Sequence, residues 1–129
     1  MAFRWLVMLP AHVERFLRDA VRSVWELELL LLLYRLRTRL WTADELVREL
    51  RASVLIVGDS LGALQKAGLV NRNADDQYQY WPISPELDHL VGDIATAYAN
   101  SPVAVTEAIL RAPHSGIRIF ADAFKIKKD

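Results

Sequence analysis

Apolar residues recur along the first part of the chain at the spacing of α-helices. Over residues 10–22 they fall at i, i+3, i+4 and i+7, which is one helical face formed by Val13, Phe16, Leu17 and Ala20. A second helix is predicted over 23–36. Its apolar residues, concentrated in 27–33, lie nearly all round the helix, so we expect it to be buried on more than one side. We expect Trp25 and Trp41 to fill the core beside it.

Two short helices are predicted next. Thr42 and Glu45 have the spacing of a capping box, in which each side chain accepts a hydrogen bond from the other residue's backbone N–H. This pattern predicts a helix that runs to about Leu50. After a tight connection, Ser53 is the predicted N-cap of the following helix, and Gly68 is the predicted left-handed residue at its end.

A hairpin is predicted after these helices. Residues 69–72 and 77–81 have the composition of short strands, and the polar residues 73–76 form the turn between them. Alternation along the second strand places Tyr78 and Tyr80 on one face and Trp81 on the other. We expect these aromatic side chains to pack the hairpin onto the helices.

Three further helices are predicted towards the C-terminus. Ser-Pro pairs begin two of them, at residues 84–85 and 101–102, because proline fits the first helical position. Ser115 is the predicted cap of the last helix, which a basic tail follows. We expect one compact unit with three segments: an N-terminal helical extension (1–22), a central region (23–82) and a C-terminal three-helix appendage (83–129).

Composition narrows the classes of function. The chain has 53% apolar residues, and its 16 basic and 16 acidic residues leave a net charge of zero, so only a local patch could attract an anionic partner. It has no cysteine, which excludes disulfides and thiolate metal sites and fits a cytoplasmic location. The histidines lack partners at metal-ligand spacing, so we predict no metal and no cofactor. The apolar run 27–33 is far below the ~20 residues that span a bilayer, so we expect no membrane partner.

Residues 61–70 carry the motif L-x-x-L-x-x-x-G-L-V. This motif resembles the end of the recognition helix in bacterial winged helix-turn-helix regulators of the MarR-like and ArsR-like groups, and the resemblance covers about residues 23–81. It implies that the second helix of the pair lies in the DNA major groove, while a two-stranded wing touches the backbone or the minor groove. We therefore predict a mainly α (α+β) fold, with a winged helix-turn-helix between the N-terminal helix and the C-terminal appendage.

The same region departs from that family in the residues that would face DNA. Residues 54–63 supply no Arg, Lys, Asn or Gln, which are the side chains that usually read base edges. Residues 41–82 hold four cations against six acids, and two of the acids, Asp75 and Asp76, lie in the wing turn. The preceding segment is more basic and could contact the DNA backbone through Arg35, Arg37 and Arg39.

Two interpretations share one set of candidate residues. In the first, a homodimer doubles modest DNA contacts made by the serines and the cations. In the second, Leu55 and Ile56, together with Val54, form an apolar patch for a protein partner. A simpler alternative is that the C-terminal helices cover Leu55 and Ile56. The candidate binding residues are Arg51, Ser53, Leu55, Ile56, Asp59, Ser60, Lys66 and Arg72.

Residues 54–61 also resemble the strand and nucleophile turn of GDSL-type esterases, which implies Ser60 as a nucleophile. The later G-x-N-D and D-x-x-H motifs of that family, which supply the oxyanion donors and the base, do not occur here. The β-branched residues of 54–57 and the glycines at 58 and 62 make this segment a poor intrinsic helix, so a strand is the structural alternative. If it is a helix, Gly58 and Gly62 would allow close packing against a neighbouring helix.

These observations lead to one expectation and its alternatives. We expect a small, cytoplasmic, non-enzymatic winged-helix regulator associated with transcription, which binds DNA weakly or as a homodimer. The dimer is expected because the segment 27–33 is apolar all round. The alternatives are a winged-helix protein-interaction module that does not bind DNA and a GDSL-like acyl hydrolase.

Overall fold

The computed structural model of the chain describes residues 9–111. Within that range it holds six helices and a small antiparallel sheet of three strands, which confirms the prediction of a mainly helical α+β fold. The predicted helix after Ser115 and the basic tail lie outside the described residues. The elements are α1 (Ala11–Ala20), α2 (Val24–Arg35), β1 (Trp41–Thr42), α3 (Ala43–Leu50), α4 (Val54–Lys66), β2 (Val70–Arg72), β3 (Gln77–Tyr80), α5 (Pro85–Asn100) and α6 (Pro102–Arg111).

The chain forms two compact units. The central unit is residues 25–92, and the terminal unit combines residues 1–24 with 93–129. The predicted segment limits fall in the loops before α2 and α5, whereas the second boundary between the units falls inside α5.

The apolar stretch of α2 is buried on more than one side, as its pattern predicts. Leu27 and every residue of 29–33 are buried, and Trp41 is buried as expected. The prediction for Trp25 is wrong: its ring stands in the first turn of α2 and is 41% exposed. The buried leucines therefore fill the core without this indole.

Helices α3 and α4 begin where the capping residues predict. The N–H of Glu45 donates to Thr42 Oγ1 at 3.2 Å, and the N–H of Thr42 donates to Glu45 Oε1 at 2.9 Å. The second of these bonds lowers the pKa of Glu45. Ser53 Oγ accepts from the N–H of Ile56 at 3.0 Å. The capped segment 54–66 is a continuous helix that packs against α3, so the strand alternative is wrong.

Two residues with positive φ set the ends of these helices. Arg51 terminates α3 with φ 55°, in the tight connection that the sequence predicts. Gly68 follows α4 with φ 78°, and the N–H of Leu69 donates to the carbonyl of Leu64 at 3.0 Å. The positive φ favours glycine here, and a Cβ would also lie 2.8 Å from Ile83 Cδ1, so the exposed Ile83 side chain would have to move.

The sheet contains the predicted hairpin and one further strand. Strands β2 and β3 pair antiparallel, and β1 pairs with the other edge of β3, which gives the order β1-β3-β2. The two-stranded prediction missed β1 because two residues carry no alternation. The turn is closed by Asn73 Oδ1, which accepts from the N–H groups of Asp75 and Gln77, each at 2.9 Å.

An aromatic cluster joins α2, β3 and α5 within the central unit. The rings of Tyr34 and Tyr80 meet edge to face at 5.3 Å, and the Arg37 guanidinium lies 4.6 Å from the Tyr34 ring centre. The Tyr80 hydroxyl donates to Asp88 Oδ1 at 2.8 Å. Burial raises the pKa of Tyr80, and the same hydrogen bond lowers the pKa of Asp88.

In the terminal unit, α1 packs against α6. The contact faces are apolar, because Val13 and Leu17 of α1 and Val105 and Ile109 of α6 are fully buried. His12 Nε2 lies 2.7 Å from Asp93 Oδ2, which joins α1 to the part of α5 that belongs to this unit.

Candidate nucleic-acid interface

The first turn of α4 presents apolar side chains to solvent. Val54 and Leu55 are 71% and 73% exposed, although both are aliphatic and both follow the Ser53 cap directly. No acidic residue lies in this turn. Within residues 9–111, Leu55 is therefore not covered by another helix.

Arg51 stands immediately before this turn. Its side chain is exposed, and its backbone is left-handed, a conformation that a residue with a Cβ adopts rarely. Because Ser53 fixes the start of α4 and Arg51 terminates α3, the guanidinium is carried by a short connection held at both ends. Arg51, Ser53, Val54 and Leu55 form the surface that we call the α4 entry surface.

Other predicted residues of α4 lie in different surroundings. Ile56 is half-buried, and its N–H is bound by Ser53. Asp59 is exposed. The prediction that Ser60 is a binding residue is wrong. Its side chain is only 4% exposed, because it lies on the face of α4 that also buries Val57 and Leu64. Its hydroxyl is therefore not available to a phosphate.

The two remaining predicted cations lie apart from the α4 entry surface. Lys66 is exposed at the other end of α4, which places it about 18 Å along the axis from Val54 at 1.5 Å per residue. Arg72 is exposed on β2, but its Nε donates to Asp76 Oδ1 at 2.8 Å. This hydrogen bond raises the pKa of Arg72. Arg72 is thus paired with an acid of its own hairpin.

The basic segment before β1 is also engaged within the chain. Arg37 stacks on two tyrosine rings and donates from Nη2 to Asp88 Oδ1 at 3.3 Å. Arg39 lies over the Trp41 ring at 3.5 Å and is 3.8 Å from Glu45 Oε2. The sequence predicts that these arginines contact the DNA backbone. In the structure, their guanidinium groups already contact aromatic rings and carboxylates of the same chain.

The esterase-like motif does not have the geometry of a nucleophile turn. Residues 58–61 lie in the interior of α4, and the strand that should deliver the serine is part of the same helix. Among residues 9–111, no group of histidine, aspartate and glutamate side chains has the arrangement of a metal site. No helix in that range is both long enough and apolar enough to cross a membrane.

Val54, which the sequence predicts as part of an apolar patch with Leu55 and Ile56, is exposed and belongs to the α4 entry surface. Two further apolar residues, Trp81 and Ile83, are exposed although the sequence does not predict it. Trp81 is 63% exposed, so the prediction that it packs the hairpin onto helices is wrong. It follows the last residue of β3, on the opposite side from the buried Tyr80. Ile83 is also exposed, and its N–H donates to the Gly68 carbonyl at 2.9 Å.

Comparison of the chain with protein-family models, with curated proteins and with solved structures finds no match.

Proposed function

We propose that the central unit is a winged-helix DNA-binding domain and that the protein is a regulator associated with transcription. The order of elements supports the fold. A helix and a short strand precede the α3–α4 pair, and a hairpin follows it, with β1 added to the free edge of β3. In a helix-turn-helix, the N-terminal residues of the second helix contact base edges in the major groove.

The observation that carries the proposal is the accessibility of the α4 entry surface. The N-terminus of α4 is the positive end of the helix dipole, and Arg51 adds a full charge beside it. From residue 50 to 58 Arg51 is the only charged side chain. The exposed acids Glu49 and Asp59 lie just outside this stretch, so the positive charge at this end of α4 is confined to Arg51 and the helix N-terminus.

The geometry also predicts that binding is weak. Arg72 is paired with Asp76, and Arg37 and Arg39 contact other groups of the chain. Few cations therefore remain to bind DNA phosphates. Each phosphate contact makes the logarithm of the DNA-binding constant fall more steeply with the logarithm of salt concentration, by about 0.9 in the slope. We expect a slope that corresponds to only a few contacts per chain.

A homodimer stays a prediction, but its expected interface changes. The apolar side chains of α2 are buried within a single chain, so they do not offer a surface to a second copy. Two DNA-bound copies would have to meet through another face.

Fluorescence anisotropy against a mixed-sequence duplex, titrated from low to physiological salt, tests the DNA proposal. We expect affinity that falls with salt, is reduced in Arg51→Ala and is retained in Arg51→Lys, because the conservative change keeps the charge. Arg18→Ala on α1 is the matched control, since Arg18 is equally a surface arginine and lies in the terminal unit. Anisotropy that stays flat at the lowest salt would contradict the proposal.

A protein-interaction module is the second candidate function. It is favoured by the same two exposed aliphatic side chains and by Asp75 and Asp76 in the hairpin turn, which would repel a DNA backbone. This candidate predicts no DNA binding and a partner whose association is lost in Leu55→Glu. Leu110→Glu, at an exposed leucine of α6, is the matched control and should leave that association unchanged.

A further inference from the structure

We infer that the α4 entry surface recognises the C5-methyl groups of thymine in the major groove. This inference rests on the proposed function and names the feature of DNA that the site would contact. It follows from the exposed aliphatic side chains in the first turn of α4 and from the absence of acidic side chains there.

The exposed side chains of this turn offer apolar contact and no hydrogen bonds. Val54 and Leu55 are 71% and 73% exposed on the helix that would enter the groove, and neither side chain can donate or accept a hydrogen bond. Bases display hydrogen-bond donors and acceptors in the major groove, with one apolar feature, the thymine methyl group. Aliphatic side chains in this position complement that group alone.

The next turn leaves room for close approach. Gly58 is exposed, and nothing lies within 4 Å of a Cβ added to it. Gly62, one turn further, has the same open surroundings. The prediction that these glycines allow close packing of a helix is therefore wrong for the described residues, since none of them approaches either position within 4 Å. A base edge can approach the α4 backbone here without displacing a side chain.

Local charge selects DNA over a neutral apolar partner as the occupant of this surface. Arg51 precedes the two aliphatic residues, and no acid lies in the first turn of α4. In a duplex, the phosphate backbone and the base edges lie next to each other. The α4 entry surface has the same arrangement, because Arg51 can bind a phosphate and the adjacent aliphatic side chains can contact methyl groups.

The experiment compares two duplexes that differ only by methyl groups. One is a 20-base-pair A·T-rich duplex, and the other carries deoxyuridine at every thymine. Burial of one methyl-sized group corresponds to about fourfold in affinity, so we expect the thymine duplex to bind at least about fourfold more tightly. Leu55→Ala and Val54→Ala should reduce this ratio towards one, because they remove the side chains that would contact the methyl groups. Both side chains are exposed, and alanine favours the helix, so these variants should fold.

Arg51→Ala separates methyl recognition from phosphate binding. We expect it to weaken binding to both duplexes equally and to leave their ratio intact. Equal affinity of the intact protein for the two duplexes would overturn the methyl inference and leave the DNA proposal standing. A ratio that persists in Leu55→Ala and Val54→Ala would overturn it too, because duplex shape would then be the cause. Absence of binding to either duplex at low salt would overturn both proposals and point to a protein partner.

Discussion

Helices α2 and α4 are both rich in aliphatic residues, yet they have different surroundings. In α2 the leucines of residues 29–33 are all buried, whichever way they point. In α4 only one face, with Val57, Leu61 and Leu64, is buried, and Val54 and Leu55 in the first turn are exposed. An apolar composition therefore does not by itself mark a core helix. What differs is whether neighbouring elements surround the helix or leave one side open.

The largest predicted effect contrasts one leucine from each helix. Leu30→Ala should lower the free energy of unfolding by about 2–5 kcal/mol, because it leaves a cavity in a fully buried site. Leu55→Ala removes the same atoms from an exposed site and should change stability by less than about 0.5 kcal/mol. Urea denaturation followed by circular dichroism measures both. Equal losses in the two variants would show that Leu55 is covered in solution.

The second prediction concerns the cap that holds the exposed turn of α4. Ser53→Ala should cost about 1 kcal/mol of stability, because the N–H of Ile56 loses its acceptor. Ser53→Asp restores an acceptor and should restore stability, while its charge beside Arg51 should weaken DNA binding. The same urea denaturation measures stability, and anisotropy measures binding. If Ser53→Asp is as unstable as Ser53→Ala, the cap does not hold the turn.

The smallest predicted effect has the opposite sign. Gly58→Ala should raise the free energy of unfolding by about 0.5–1 kcal/mol, since the position is helical and a Cβ there meets nothing within 4 Å. Gly68→Ala is the matched control. It should lower stability, because φ 78° and the nearby Ile83 side chain both oppose a Cβ. Thermal denaturation of the two variants distinguishes the cases, and destabilisation by Gly58→Ala would indicate a close neighbour.

The features that the sequence predicts well are those that depend on local chemistry. Thr42 and Glu45 locate α3, Ser53 locates the start of α4, and Gly68 locates its end, because capping and positive φ depend on a few neighbouring residues. The hairpin turn follows in the same way from Asn73, whose side chain binds the backbone within four residues.

The features that it misses depend on residues distant in sequence. Strand β1 exists because residues 41 and 42 meet 78 and 77, and two residues give no periodicity. Arg37 lies on the ring of Tyr80, which is more than forty positions away in the sequence. The sequence alone therefore does not show whether the Arg37 guanidinium contacts other residues of the chain or is free to bind a phosphate. Likewise, helical spacing identifies the faces of α4 but does not decide how many are covered. The sequence therefore predicts both Ser60 and Leu55 as binding residues, although Ser60 is buried and Leu55 is exposed.

The most direct test of the central claim is amide chemical-shift mapping of the ¹⁵N-labelled protein during titration with a mixed-sequence duplex at low salt. If the α4 entry surface binds DNA, the largest shifts should fall on residues 51–58, with the buried amides of α2 unaffected. The shifts should disappear as salt is raised. Shifts confined to α6 or to the hairpin turn, or no shifts at all, would contradict the claim that the first turn of α4 is the DNA-binding surface.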